Sequence, residues 1–177
     1  MGTPNVVNYP YASFTPAAGE AHIGEVGGNT TLIAVTPTVT AGLYTANDVV
    51  GGIQTIANAV RISGGTGILQ SVVVQDLAMQ NAVLQIFLFS ATPGTGTYTN
   101  DAEMDLDDAD AGLCIGVIMV AATDYVSVKD NSIAIVRNIG LPIKLAATSL
   151  FAVIKTTGAP TYASTSDLKL TFGILRD

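Results

Sequence analysis

Short segments rich in β-branched residues, in which apolar and polar positions alternate, recur along most of the chain. Gly, Pro, Asn and Asp separate these segments, which is typical of an all-β sandwich or barrel. No segment of ordinary helix length carries the apolar stripe of an amphipathic helix. We therefore predict a jelly-roll-like β-sandwich of about eight strands, over residues 30–40, 53–62, 67–78, 83–91, 114–122, 131–138, 149–158 and 168–175.

Two local patterns sharpen this prediction. In the last segment, LKLTFGIL, apolar residues alternate with Lys169, Thr171 and Gly173, so one face of this strand should be buried. The stretch SGGTG at 63–67 lies between two predicted strands, and its glycines can adopt the positive φ of a tight turn. We expect it to close a hairpin.

The stretch TNDAEMDLDDADAG at 99–112 concentrates acidic residues. It does not match a calcium-binding EF-hand loop, because a register that begins at Asp101 puts Leu106 where Gly is needed and Gly112 where Glu is needed. The segment DDADAGL instead predicts an aspartate N-cap and one or two helical turns before the strand at 114. We expect a solvated loop, and a non-standard divalent-ion site stays open for the acids at 101–110: Asp101, Glu103, Asp105, Asp107, Asp108 and Asp110.

Other chemistry finds little support in the sequence. The glycine-rich stretches at 63–67 and 91–99 have no following Lys, which a phosphate-binding loop requires. His22 is the one histidine, and no nucleophile motif accompanies it. Cys114 lies in an apolar run and is expected to be a buried, inert thiol. We predict no catalytic residues, no cofactor and no metal site, although a glycosidase-type pair of acids stays open because its partners converge only in the fold.

Composition limits the partners. Hydrophobic residues make up 49% of the chain and charged residues 12%, against a usual ~25% charged, so part of the surface is expected to contact protein. A net charge of -7 argues against nucleic acid. The longest apolar runs are too short for a membrane span, and no basic residue precedes Arg61 as a signal peptide would need. We expect a soluble protein made in the cytoplasm.

Residues 1–28 differ from the rest of the chain. They hold several glycines and prolines without a sustained period, which favours an extended N-terminal arm. Tyr9, Tyr11 and Phe14 are unfavourable in water and suit contact with another chain. The alternative is a frayed terminus with no partner.

A family resemblance covers residues 44–177. Its most specific part is YTANDVVGG at 44–52, and it continues through the acidic stretch to LKLTFGILRD at the end. These segments resemble capsid decoration, or cement, proteins of tailed bacteriophages. The resemblance implies a jelly-roll domain over 44–177. Residues 1–43 lie outside the resemblance, and the sequence pattern alone assigns them to the extended arm and a first strand. The resemblance also implies a homotrimer without enzymatic activity that binds the outer surface of the major capsid protein lattice of a virion.

Two alternatives to this function stay open. One is another virion component, such as a tail or baseplate accessory protein, which composition does not separate from a decoration protein. The other is a carbohydrate-binding jelly roll, although such modules commonly stack sugars on Trp or Tyr and this chain has no Trp.

Overall fold

Alternating apolar residues form strands that cover most of the chain. The computed structural model describes residues 29–176. Within that range it contains one short helix, α1 (Asp108–Ala111), one 3₁₀ turn (Ala122–Asp124) and nine strands. The strands are β1 (Asn29–Val35), β2 (Val49–Ile56), β3 (Thr66–Asp76), β4 (Leu84–Phe89), β5 (Cys114–Val120), β6 (Tyr125–Val128), β7 (Asn131–Lys144), β8 (Leu150–Thr156) and β9 (Leu168–Arg176).

The strands form two antiparallel sheets. One sheet has the order β1-β9-β3-β7-β6 and the other has the order β2-β8-β4-β5. Two connections stay within one sheet, the one from β4 to β5 and the one from β6 to β7. Every other connection crosses from one sheet to the other, as in a jelly roll. The predicted all-β sandwich is confirmed, and β6 is the strand that the sequence pattern missed.

The core lies between the two sheets. Strand β9 shows the predicted alternation, since Leu168, Leu170, Phe172 and Ile174 are all buried and belong to the main core. The inward residues of the facing sheet meet them there. Burial of this kind is the main stabilising contribution in a chain whose described residues contain one cysteine and no disulfide.

The predicted hairpin at 63–67 is wrong. Strand β2 belongs to the four-stranded sheet and β3 to the five-stranded sheet, so the turn that joins them crosses between sheets. Gly64 does adopt a positive φ of 78°. The β2 strand also begins and ends earlier than predicted, and β7 runs on to Lys144, six residues beyond the predicted end at 138.

Strand β1 belongs to the sandwich. It pairs with β9 from Asn29 to Val35. The domain boundary predicted from the sequence, at residue 44, instead grouped this first strand with the arm. Residues 1–28, which hold the proposed contact residues Tyr9, Tyr11 and Phe14, lie outside the described residues. Among residues 29–176, no helix has the length and apolar character needed to cross a membrane.

The segment 44–52, which leads into β2, is held by hydrogen bonds to Asn100 in the connection between β4 and β5. The Tyr44 hydroxyl accepts a hydrogen bond from the Thr40 amide at 2.6 Å and donates one to Asn100 Oδ1 at 2.7 Å. The Gly51 amide donates to the same oxygen at 2.7 Å. Gly51 has a φ of +79°, and a Cβ there would overlap Pro37, so only glycine fits. These contacts attach the start of β2 to the connection between β4 and β5.

Candidate functional site

The acidic loop, defined as residues 90–113 between β4 and β5, covers one end of the outer face of the four-stranded sheet. Along its middle, the acids Glu103, Asp105 and Asp107 are exposed, whereas Met104 and Leu106 are half-buried. Backbone hydrogen bonds join it to the start of β2, including Val49 N–H to the Ala102 carbonyl at 2.8 Å. The loop therefore has an acidic outer side and an apolar inner side.

A second hydrophobic cluster lies under this loop. Its buried members are Val49, Phe89, Tyr98 and Val153. Phe89 and Val153 project from the four-stranded sheet on the side opposite the main core, because their strand neighbours Leu88 and Ala152 belong to that core. The rings of Phe89 and Tyr98 meet edge to face, with centroids 6.1 Å apart. The acidic loop is thus anchored by its own small core.

Asp110 fixes the end of the loop. Helix α1 begins as predicted, with Asp107 as N-cap accepting a hydrogen bond from the Ala109 amide at 2.9 Å. Asp110, however, is 3% exposed. Its carboxylate accepts hydrogen bonds from the amides of Thr95 at 2.8 Å and Gly96 at 2.9 Å, from Gly94, and from the Tyr98 hydroxyl at 2.8 Å. The expectation of a purely solvated acidic loop is therefore wrong for this residue.

These contacts control ionisation. Burial acts to raise the pKa of Asp110, but the hydrogen bonds from the 94–96 amides and the Tyr98 hydroxyl outweigh it and hold the pKa well below its usual range. Burial and the adjacent Asp110 carboxylate raise the pKa of Tyr98. At neutral pH the site is a carboxylate enclosed by donors. The glycine-rich stretch at 91–99 thus binds an anion that the chain itself supplies.

The described part of the chain offers no evident metal-binding site. Residues 29–176 contain no group of three or more His, Cys, Asp or Glu side chains placed to hold a metal ion. Asp110, the buried acid of the loop, already accepts hydrogen bonds from donors on several sides. Cys114 is half-buried and not fully buried as predicted, and its Sγ contacts the Gly116 carbonyl at 3.6 Å.

An apolar surface lies on the outer face of the five-stranded sheet at its β6 edge. We call it the β6–β7 face and define it as Val126, Val128, Ile133 and Ile135, which are 67%, 62%, 39% and 41% exposed. Val126 and Ile133 are cross-strand partners. Their neighbours Ala134 and Tyr125 point into the core. Folded monomers seldom expose several branched apolar side chains side by side, which makes this face a candidate protein contact.

Sequence reasoning missed this face, yet the sequence contained a signal for it. In NSIAIVRN, Ile133 and Ile135 alternate with Ala134 and Val136, so the strand is apolar on both sides. Such a strand is expected to be covered on both faces. In the described residues one face is covered by the core and the other faces outward.

The exposed apolar face and the anchored acidic loop are thus the two features of the described fold that call for a functional explanation. No protein-family model matches this chain, and no curated protein matches it significantly.

Proposed function

We propose that this chain is a structural virion protein, a bacteriophage capsid decoration protein that binds the outer surface of the coat lattice as a homotrimer. It stabilises the lattice through shared contact area and not through catalysis. The observation that carries the proposal is the β6–β7 face. The resemblance of residues 44–177 to decoration proteins supplies the identity of the partner.

The size of the expected contribution follows from exposure. Complete burial of a Val or Ile side chain stabilises by ~1.5–3 kcal/mol. The four side chains of the β6–β7 face are 39% to 67% exposed, so covering them contributes about 4 kcal/mol per copy before the entropy of association is subtracted. A symmetric trimer repeats this contribution, and multivalent attachment makes modest single contacts sufficient.

Charge on the opposite sheet suits the same role. The acidic loop presents Glu103, Asp105 and Asp107 to solvent, and its apolar residues are held against the sheet. A surface of one sign on the side of the sandwich away from the apolar contact face resists non-specific association with other acidic particles. We propose that the loop faces outward on the particle and the β6–β7 face lies in the contact.

The proposal is tested by co-sedimentation of the purified protein with shells assembled from the major capsid protein of the phage whose genome encodes it. Val126→Lys is expected to lower the affinity at least about tenfold, because a lysine ammonium in an apolar contact loses its hydration. Leu43→Lys is the matched control, since Leu43 is 61% exposed but lies outside the face. Equal binding by both variants, or no binding by the unmodified protein, would contradict the proposal.

The arm is tested separately. Deleting residues 1–28 is expected to leave a folded sandwich while weakening either trimer formation or attachment to shells, since Tyr9, Tyr11 and Phe14 are proposed to contact another chain. Analytical ultracentrifugation gives the mass in solution, and co-sedimentation gives the occupancy. An unchanged mass together with unchanged occupancy would remove the arm from the proposal.

A further inference from the structure

Charged side chains are divided unequally between the two sheets. The strands of the five-stranded sheet hold one acid, Asp76, which is buried. Their basic residues are Arg137, Lys144, Lys169 and Arg176. The strands of the four-stranded sheet hold one basic residue, Lys155, and no acid, whereas the acidic loop between two of them carries six acids at 101–110. A protein with a net charge of -7 thus has one sheet whose strands are basic.

Two of these basic residues lie at the margin of the β6–β7 face. Lys169 points outward because its neighbours Leu168 and Leu170 belong to the main core. Arg137 lies on β7 two residues beyond Ile135, so the two side chains share the outer face about 7 Å apart along the strand. Both basic side chains are exposed.

The pairing of the strands places Lys169 in line with the apolar residues of this face. Lys169 pairs with Gln75 of β3, and Gln75 pairs with Ile133 of β7. Ile133 in turn pairs with Val126 of β6. Neighbouring strands lie about 4.8 Å apart, so this row puts Lys169 roughly 10 Å from Ile133. The β6–β7 face is therefore an apolar patch with a cation on two of its sides.

Neither of these two cations has a carboxylate partner among residues 29–176. The ion pair between described residues, Lys129 with Asp130 at 3.6 Å, lies in the turn between β6 and β7 and involves neither of them. The strands of this sheet offer no exposed acid, since Asp76 is fully buried. The guanidinium of Arg137 and the ammonium of Lys169 can therefore bind carboxylates of another molecule.

We propose that the β6–β7 face binds an acidic surface of the coat lattice, an apolar patch flanked by carboxylates that pair with Arg137 and Lys169. This inference rests on the proposed function, because it names the chemistry of the partner at the same face. Complementary charges around an apolar contact fix the orientation of a docking partner. The acidic loop, on the other sheet, is repelled by the same partner surface, which directs the β6–β7 face toward the capsid.

Charge reversal tests the sign of the partner surface. In co-sedimentation with shells of the major capsid protein, Arg137→Glu and Lys169→Glu are each expected to lower the affinity about tenfold at low salt, because an attraction becomes a repulsion. Lys155→Glu on the four-stranded sheet makes the same change in net charge and is the matched control. It should lower the affinity less than about twofold. At about 0.5 M salt these differences should shrink, because screening shortens the range of the interaction to about 5 Å or less.

A second measurement tests the sign at one position. Val126→Lys and Val126→Glu remove the same exposed valine, so a difference between their affinities reports the charge of the partner surface. Val126→Glu is expected to weaken attachment at least about threefold more than Val126→Lys. Thermal melts check that every variant is folded, which is expected because all the changed side chains reach the surface.

The outcomes separate this inference from the proposed function. Absence of shell binding by the unmodified protein would contradict both. If the unmodified protein binds, and Arg137→Glu, Lys169→Glu and Lys155→Glu bind equally well, the function stands and the acidic partner surface is excluded. Val126→Lys binding no better than Val126→Glu would exclude it too. Loss of the trimer in ultracentrifugation without loss of shell binding would assign the face to a second copy of the chain and would equally overturn the inference.

Discussion

Phe89→Ala tests the second hydrophobic cluster, on which the position of the acidic loop depends. Phe89 is fully buried, and its ring meets Tyr98 edge to face. Removing such a ring lowers the free energy of unfolding by about 3–5 kcal/mol, through lost burial and the cavity left behind. For a domain of this size, the melting temperature should fall by roughly 10 °C.

The part of the molecule that Phe89→Ala destabilises is as informative as the loss of stability itself. Phe89 lies on the outer side of its sheet, whereas Leu88 belongs to the main core. We expect the sandwich to persist and the acidic loop to lose protection first. Urea denaturation measures the free energy of unfolding. The amides of residues 94–96 donate hydrogen bonds to the Asp110 carboxylate, so their hydrogen-exchange rates measure how firmly the loop is attached.

Two variants control this experiment. Phe89→Leu keeps much of the apolar volume and should lose less than half as much stability as Phe89→Ala. Val117→Ala changes a residue on the same outer face that is 45% exposed, and it should cost less than about 1 kcal/mol. A loss below about 1 kcal/mol for Phe89→Ala, or unchanged exchange at 94–96, would refute the reasoning that a buried cluster anchors the loop.

Two further predictions concern Asp110 and its glycine-rich neighbours. Because the folded-state pKa of Asp110 is depressed, its stabilisation is present above its unfolded value of ~3.9 and is lost as the pH falls below about 4. Thermal melts of Asp110→Asn should therefore approach those of the unmodified protein at low pH and diverge at neutral pH; a constant difference would argue against this. Burial raises the pKa of Asp76, which acts in the opposite sense, but it is common to both proteins. Gly96→Ala should cost about 1–3 kcal/mol because a Cβ would overlap the Asp105 carbonyl, whereas Gly94→Ala has open space; equal stability of the two variants in urea would contradict the packing.

Most strands could be predicted because apolar and polar residues alternate along the strand itself. Leu168 to Ile174 alternate strictly, and the structure buries the side that the alternation indicates. Strand β6 was missed because YVSV is only four residues long and follows directly on a 3₁₀ turn. The glycines at 63–67 predict a hairpin between β2 and β3 because glycine tolerates the positive φ of a tight turn. Gly64 does adopt a positive φ, but turns of many kinds use that conformation, including one that crosses between sheets.

The acidic loop shows what a local pattern leaves out. The alternation of acids with Met104 and Leu106 was visible in the sequence and indicates one covered side. What covers it was not visible, because Phe89 and Val153 come from strands far apart in the chain. The amide enclosure of Asp110 is equally non-local, since its donors lie 14 to 16 residues away. The strand assignments depended on neighbours, and these features depend on the fold.

The most direct test of the central claim, that this protein acts through the area it shares with its neighbours, is side-chain-resolution imaging of the intact particle. The account predicts three copies around each occupied site on the outer capsid, with Val126 and Ile133 covered by coat protein or by an adjacent copy, and with the acidic loop toward solvent. Particles that lack this protein, or that carry it with Val126 and Ile133 open to solvent, would contradict the account.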